Sequence, residues 1–383
     1  MSKNYRPIRP RTNSLYRGDN LAVMCAMPDA IADLIYIDPP FFTQKDYKNI
    51  WGDRESVADF NSDFFNGFKD TKDFFEKHIQ SDAKGLKAYL EWMRARLVEC
   101  YRLLKPTGSF YLHLDHHAVH YVKVMLDEIF GYDNFRNEIT WQRKIGSNST
   151  SKARSWPNNS DFILFYTKSN DYYFEPQYVD DSDGLPTSVV NAYKHDDNDG
   201  KGPYQRGPLE APSDSPTLKF TFKGVKPPKK GWRWKKERMQ EAFEQGLLYI
   251  TDDKSTIRQK MYLSNRKGAI VESIWTDIRC VQGGSTEYLG WPTQKPVTLL
   301  ERIIAASSKE NDLIFDCFAG CGSTMMAAHN LKRRWIGIDI SPTAADVNKK
   351  RLEIAKAKVE VIEEGDLEIE VSKLKRGQEK KVA

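Results

Sequence analysis

Leu34-Ile35-Tyr36-Ile37 is an unbroken apolar run, partly β-branched, that stops at Asp38-Pro39-Pro40. Two consecutive prolines can neither enter a sheet ladder nor continue a helix, so the pattern predicts a buried strand that ends in a rigid turn. Residues 59–104 carry helical spacing, closing on Leu97, Val98, Cys100, Tyr101, Leu103 and Leu104 before Lys105-Pro106-Thr107-Gly108 breaks it. A second buried strand is predicted over 109–114, a helix over 118–130, and strands over 139–142 and 162–166. Between the last two, Ser147-Asn148-Ser149-Thr150-Ser151 has no apolar period and reads as a mobile loop.

Over 172–271 the pattern degrades. Asp-, Gly- and Pro-rich stretches alternate there with short aromatic strands and one helix over 235–244, as expected of a separately built insertion. Periodicity returns at Pro296, a good first helical residue, with Val297, Leu299, Leu300, Ile303 and Ile304 on one face. A compact α/β unit follows: a strand over 313–315, a Gly-rich turn, a helix over 324–331, and a strand over 335–338 that ends at Asp339-Ile340. From about residue 355 the chain reads as a charged helix and tail. The halves 1–171 and 272–360 thus flank the insertion 172–271, and 361–383 forms the tail.

At 383 residues the chain can bury a core without staples. It holds no run of about 18 apolar residues, and its arginine-bearing start is followed by no apolar signal segment, so a soluble, cytoplasmic protein with no membrane contact is expected. Five scattered cysteines (Cys25, Cys100, Cys280, Cys317, Cys321) argue for reduced thiols rather than a disulfide framework or a zinc site. The net charge of +5 is mild, but its distribution is uneven. Lys226, Lys229, Lys230, Arg233, Lys235, Lys236 and Arg238 cluster around Trp232 and Trp234, mixing phosphate-neutralising cations with stacking surfaces, as nucleic-acid contacts require, although a solvated helix start would read the same way.

Two segments carry chemistry. In Asp316-Cys317-Phe318-Ala319-Gly320-Cys321-Gly322-Ser323-Thr324 a strand hands over to a helix, and the glycines let backbone approach a ligand. Asp339, at the end of the next strand, is placed to hold ribose hydroxyls. No third glycine is spaced for a pyrophosphate, and no Gly-Lys-Ser/Thr forms a phosphate loop. S-adenosylmethionine fits instead, with its ribose on Asp339, its adenine on apolar neighbours such as Ile340, and its amino-acid end on the turn amides and Asp316.

The second segment is Asp38-Pro39-Pro40-Phe41. An exocyclic base amine, conjugated to its ring, is a poor nucleophile; accepting hydrogen bonds from its two N–H groups pushes the nitrogen toward tetrahedral geometry. The Asp38 carboxylate and the Pro39 carbonyl, fixed by Pro40, are suited acceptors. Phe41 offers a face on which a flipped-out base can stack.

Together these residues resemble the amino-methyltransferases of DNA, in the permuted class whose catalytic tetrapeptide precedes the cofactor turn. Tyr16-Arg17-Gly18-Asp19-Asn20, Asp38 to Phe41, Leu104 to Ser109, Pro292-Thr293-Gln294-Lys295-Pro296, Asp316 to Thr324 and Arg334 to Asp339 match that family's motifs in its order. The resemblance implies a Rossmann-like methyltransferase fold with a mostly parallel sheet. It implies that Asp19 lies near the cofactor adenine, that Thr293 and Lys295 close the cofactor pocket, and that the insertion recognises double-stranded DNA. It leaves open a restriction endonuclease partner and leans toward a homodimer. Phe41 stands where the family's tyrosine is usual, and Cys317 and Cys321 stand in place of its commoner Pro and Ser.

In the family that the sequence resembles, cytosine enzymes more often begin the tetrapeptide with Ser, so the resemblance implies N6 of adenine for Asp38, with N4 of cytosine as the alternative. The reaction implied is direct in-line transfer without a covalent intermediate. Rival readings are methylation of RNA or of a protein amide, and a DNA-binding module without turnover. His113, His116, His117 and His120 invite a metal, but the chemistry needs none and none is expected.

Overall fold

The computed structural model describes residues 9–40, 86–144, 154, 156–179, 187–291 and 293–367. Phe41, the first part of the long helix expected from 59, the Ser147 to Ser151 loop and Pro292 lie outside the described residues. The chain divides into two compact units, Met1–Gln177 with Val271–Ala383, and Tyr178–Ile270.

The larger unit opens with β1 (Ser14–Arg17), α1 (Asn20–Cys25), β2 (Ala32–Ile37), α2 (Leu86–Leu103), β3 (Leu104–Leu114), α3 (Val119–Phe130), β4 (Phe135–Gln142) and β5 (Ser160–Thr167). In the smaller unit are α4 (Thr187–Ala192), β6 (Tyr204–Pro208), α5 (Lys236–Glu244), β7 (Leu248–Ile250) and β8 (Ile257–Tyr262). The larger unit resumes with β9 (Ile274–Trp275), α6 (Val297–Ser307), β10 (Leu313–Asp316), α7 (Ser323–Asn330), β11 (Arg334–Asp339), α8 (Pro342–Ile354) and β12 (Glu360–Glu363).

Among the described residues nine strands form one sheet in the order β12-β1-β11-β10-β2-β3-β5-β4-β9. From β12 to β3 every pair is parallel; only β5 runs against its neighbours β3 and β4. This is a doubly wound α/β sheet of Rossmann type. Its parallel strands are covered on both faces, which is why β2 reads as a continuous apolar run. Alternation along β2 sends Ile35 and Ile37 to the core under α1, α2 and α3, and Leu34 and Tyr36 to the opposite core, with Leu299, Leu300, Ile303 and Ile304 of α6.

β2 connects onward to β3 on one side, whereas β10 connects through α7 to β11 on the other. The chain therefore parts between β2 and β10, and the crevice at their carboxyl ends is where such sheets bind ligands.

Several boundaries depart from the sequence expectation. Lys105 to Gly108 does not separate helix from strand: Leu104 already pairs with Ala32, and the step from Ala32 to Leu34 is matched by Leu104 to Ser109, so the Pro-Gly segment is taken up as an irregularity inside β3. No helix begins at 355; α7 is followed by α8, which ends at Ile354, and then by β12, paired in parallel with β1. Val361 and Ile362 are packed against the cores, while Glu360 and Glu363 form ion pairs with Arg11 and Arg17 along this edge. Residues 172–177 belong to the larger unit: Tyr172 packs edge-on to Phe165, and the Glu175 amide donates to the Ala306 carbonyl.

In the smaller unit β6, β8 and β7 form an antiparallel sheet, and Leu248 and Ile257 share a core with Trp232, Trp234, Met239 and Ala242. Trp232 is buried, its indole N–H donating to the Phe220 carbonyl, and Trp234 is buried beneath the Arg238 guanidinium. The two tryptophans are thus core residues, not the stacking surfaces expected from sequence; their period along 232–239 serves packing. Among the described residues no helix is long and apolar enough to cross a membrane.

Candidate active site

β1, β11, β10 and β2 are adjacent, and an acid stands at or just past the carboxyl end of each: Asp19, Asp339, Asp316 and Asp38. The registers Arg17 to Asp339, Asp316 to Gly337 and Phe315 to Ile35 bring these ends level. Residues distant in sequence are in this way collected on one edge of the sheet by parallel pairing alone.

Asp38 is partly buried. Its Oδ2 forms an ion pair with Lys295 Nζ, while Oδ1 is buried without a hydrogen-bond partner among the described residues. The Lys295 carbonyl accepts from the Ser323 hydroxyl at 2.6 Å, so this one residue joins Asp38 to the start of α7. A buried carboxylate oxygen left unpaired is costly, and a ligand N–H would satisfy it.

The turn after β10 is organised by carboxylates. Asp316 accepts from the Phe318 amide at 2.8 Å and from the Thr324 hydroxyl at 2.5 Å. Burial pushes its carboxyl up to about 7; the Thr324 and Phe318 donors oppose the rise, and Asp38 and Asp339 add to it. Asp339 accepts from the amides of Gly320 at 2.8 Å and Ser341 at 2.9 Å, and burial raises it too. Each Asp339 oxygen retains a lone pair for a further donor.

Gly322 has φ +85°, and a Cβ there would lie 2.3 Å from Asn348 Oδ1, so a side chain would strain the backbone and force Asn348 to move. Gly320 has φ +49°, but a Cβ would meet nothing nearer than Trp291 Nε1 at 3.8 Å. The first glycine thus leaves an open flank beside the turn, and the second lets α8 pack against it. Cys317, Ala319 and Cys321 are buried, Phe318 is partly so, and Ile340, beside Asp339, is 60% exposed and free to cover an apolar ligand.

Asp19 caps α1 by accepting from the Leu21 amide at 2.7 Å, and Arg96 reaches it at 3.3 Å. The same guanidinium donates to Asn20, whose amide donates to the Cys317 carbonyl, and it stacks over Trp92. Motif positions far apart in the chain are thereby cross-linked behind the turn. Thr293 is exposed; Gln294 is buried, holding the Leu289 amide and the Glu287 carbonyl, and Glu287 pairs with Arg351.

A buried chain that no local sequence pattern marks lies beneath Asp38. The Tyr36 hydroxyl lies 2.9 Å from His113 Nδ1, and His113 Nε2 lies 3.2 Å from Asp161 Oδ2. Burial opposes the charge on Asp161, but the hydrogen bond from His113, with the charges of His113, Lys295 and Arg143, outweighs it and holds the carboxyl below its usual range. Burial, with the charges of Asp38, Asp316 and Asp161, raises the Tyr36 phenol well above its own. Only alternation could have placed Tyr36 and His113 on one face; nothing local foretold Asp161. The other histidines do not join it: His117 Nδ1 lies 2.7 Å from Asp115 Oδ2, with His116 alongside, and His120 sits beside Phe162.

In the smaller unit Lys229, Lys230, Arg233, Lys235 and Lys236 are all exposed, around the turn leading into α5.

The chain is similar to several known proteins. The type II methyltransferase M.EcaI of Enterobacter cloacae is 32% identical over 329 residues, covering 85% of this chain and 66% of that protein. The Mod subunit of the type III restriction-modification enzyme StyLTI of Salmonella typhimurium is 28% identical over 334 residues, covering 82% of this chain and 49% of that subunit. The chain thus spans about half to two thirds of the length of these relatives. Among solved structures, a putative DNA modification methylase of Thermus thermophilus, complexed with S-adenosyl-L-methionine, aligns with TM-score 0.46 and 16% identity over 92% of this chain and 98% of that one. The profile of the N6/N4 DNA methylase family matches residues 32–350, and the chain belongs to that family.

Proposed function

We propose that the protein is an S-adenosylmethionine-dependent methyltransferase that acts on the exocyclic N6 amine of adenine in double-stranded DNA, within a restriction-modification or orphan modification system. The observation that carries this reading is the state of Asp38: one carboxylate oxygen is tied to Lys295, and the other is buried and unpaired among the described residues, at the crevice between β2 and β10.

The cofactor suits the residues present. Its sulfonium and ammonium are cations, and Asp19, Asp38, Asp316 and Asp339 ring the strand ends. The open flank of Gly320 faces Trp291, and exposed Ile340 next to Asp339 can cover an adenine while Asp339 accepts from ribose hydroxyls. Cys317, Phe318, Ala319, Gly322 and Ser323 shape the turn, and Thr293 and Lys295 close it from the segment before α6. When bound, S-adenosylmethionine supplies an electrophilic methyl group.

This chain then has to hold and activate the amine. Asp38 Oδ1 accepts one N–H, and the Pro39 carbonyl, fixed by Pro40, accepts the second; Phe41 stacks on the flipped base. As the nitrogen gains positive charge, its hydrogen bond to the Asp38 carboxylate strengthens, so the contact favours the transition state over the bound substrate. The ion pair to Lys295 fixes the carboxylate so that it need not reorient during transfer.

The Asp-headed tetrapeptide supports adenine, while the family itself spans N6 and N4 amines. The relative that is a Mod subunit of a restriction-modification enzyme supports a nuclease partner. In the smaller unit, Lys229, Lys230, Arg233, Lys235 and Lys236 contact DNA phosphates. The test is incubation with methyl-labelled S-adenosylmethionine and unmethylated mixed-sequence duplex DNA, with and without Asp38→Ala. Label in DNA that the substitution abolishes supports the reading; label only in RNA or protein, or label indifferent to Asp38, overturns it.

A further inference from the structure

Trp156 is 93% exposed, the most exposed large apolar side chain among the described residues. It lies between β4 and β5 at the edge of the sheet that carries Asp38. Gln142 pairs with Ser160 and Leu114 with Phe162, so the start of β5 stands beside the carboxyl end of β3, which in turn neighbours β2. The Arg143 amide donates to the Asn159 carbonyl at 2.9 Å and closes the base of the connection. Asn158 Nδ2 lies 3.1 Å from His116 Nε2, just past the end of β3. Pro157 confines the Trp156 backbone to extended conformations and so stiffens its presentation.

Charge singles out the occupant. Residues 144–160 carry three basic side chains and no acidic one, and of these Lys144 and Arg154 are exposed among the described residues, while Arg143 is held by Asp161 at 3.0 Å. A flat, stiff indole among cations, beside a site that must receive an extruded base, matches a DNA duplex better than a protein surface, since every base offers a face to stack on. Stacking a base on such a ring removes apolar area from water and adds a preferred aromatic geometry.

We propose that Trp156 is a DNA-contact residue of the catalytic unit, stacking within the duplex in the space the target base leaves, with Lys144 and Arg154 on the flanking phosphates. This rests on the proposed DNA methylation. Stacking by Trp156 offsets the lost stacking of the extruded base and lengthens the life of the open state.

The experiment compares the unaltered full chain with Trp156→Ala and Trp156→Phe, measuring single-turnover methyl transfer to unmethylated duplex plasmid DNA and, separately, S-adenosylmethionine affinity. Trp156→Ala is expected to slow transfer about 5- to 150-fold, with cofactor affinity unchanged and Trp156→Phe restoring most of the rate. Transfer by Trp156→Ala within about twofold of the unaltered protein would overturn the role of Trp156 alone. No transfer to DNA by the unaltered protein would overturn it together with the reading on which it rests. For the flanking cations, Lys144→Gln with Arg154→Gln is expected to reduce the slope of log affinity against log salt by about 2; an unchanged slope would contradict their phosphate contacts.

Discussion

Lys295 and Asp38 lie 257 residues apart in the chain and meet as an ion pair at the carboxyl end of β2. The backbone of the same lysine holds Ser323 at the start of α7, so the proposed amine acceptor and the glycine turn are coupled through one residue. Lys295→Gln should therefore lower kcat by about tenfold to a hundredfold through loss of a partly buried charge pair, with a smaller rise in the S-adenosylmethionine Kd. Steady-state kinetics with calorimetric cofactor binding would check this, and an unchanged kcat would contradict it.

Asp38→Ala removes the acceptor itself. Transfer should fall by at least about 10²- to 10³-fold, the usual loss for one preorganised group, while cofactor affinity changes little. Single-turnover rates and equilibrium binding on the same preparation separate the two effects.

Asp316 gives a pH dependence whose sign is fixed. Its folded carboxyl is raised to about 7 by burial, above the unfolded value of about 3.9. The folded state therefore holds a proton the unfolded state has lost, and this group's contribution to stability is full below about pH 4 and lost as pH rises through about 7. A cationic cofactor favours the ionised form, so S-adenosylmethionine affinity should fall as pH drops below about 7. It should fall again above about 8, where an α-amino group loses its charge. Calorimetric titration from pH 5.5 to 9 would check this (roughly the span of the two groups), and Asp316→Asn should flatten the acidic limb.

Gly322 is held at φ +85° against Asn348. Gly322→Ala should cost about 1–2 kcal/mol from the backbone, and more from the overlap with Asn348, seen as a lower Tm. Gly320→Ala, with open space beside it, should cost less stability and weaken cofactor binding instead. Equal effects of the two substitutions on both readouts would contradict the division of labour between the glycines.

In the smaller unit, neutralising Lys229, Lys230 and Lys235 together should reduce the salt slope of DNA binding by about 2 to 3. Fluorescence anisotropy with duplex DNA across a salt series would measure it, and an unaltered slope would return these lysines to solvated surface.

Much of this was legible in the sequence because it is local. The apolar run 34–37 and the strand, turn and helix around Gly320 follow from period and turn chemistry, and the proline pair marks where β2 must stop. What was hidden is of two kinds. The Lys295 to Asp38 pair and the Tyr36, His113 and Asp161 chain depend on which strands become neighbours, which no local pattern specifies. The fate of Trp232 and Trp234 depends on burial: a mixed cation and aromatic cluster looks the same whether its rings stack on a ligand or, as here, on their own core. Likewise Glu360 to Glu363 reads as charged tail until β1 supplies an edge to pair with.

The most direct test of the central claim is the chemical identity of the methylated nucleoside formed from S-adenosylmethionine and unmethylated duplex DNA, determined by mass spectrometry after digestion. The expected product is N6-methyladenine. N4-methylcytosine would keep the mechanism at Asp38 and reverse the base, whereas methyl on ring carbon, or no methyl in DNA from protein that binds the cofactor, would contradict an amine-activating role for Asp38.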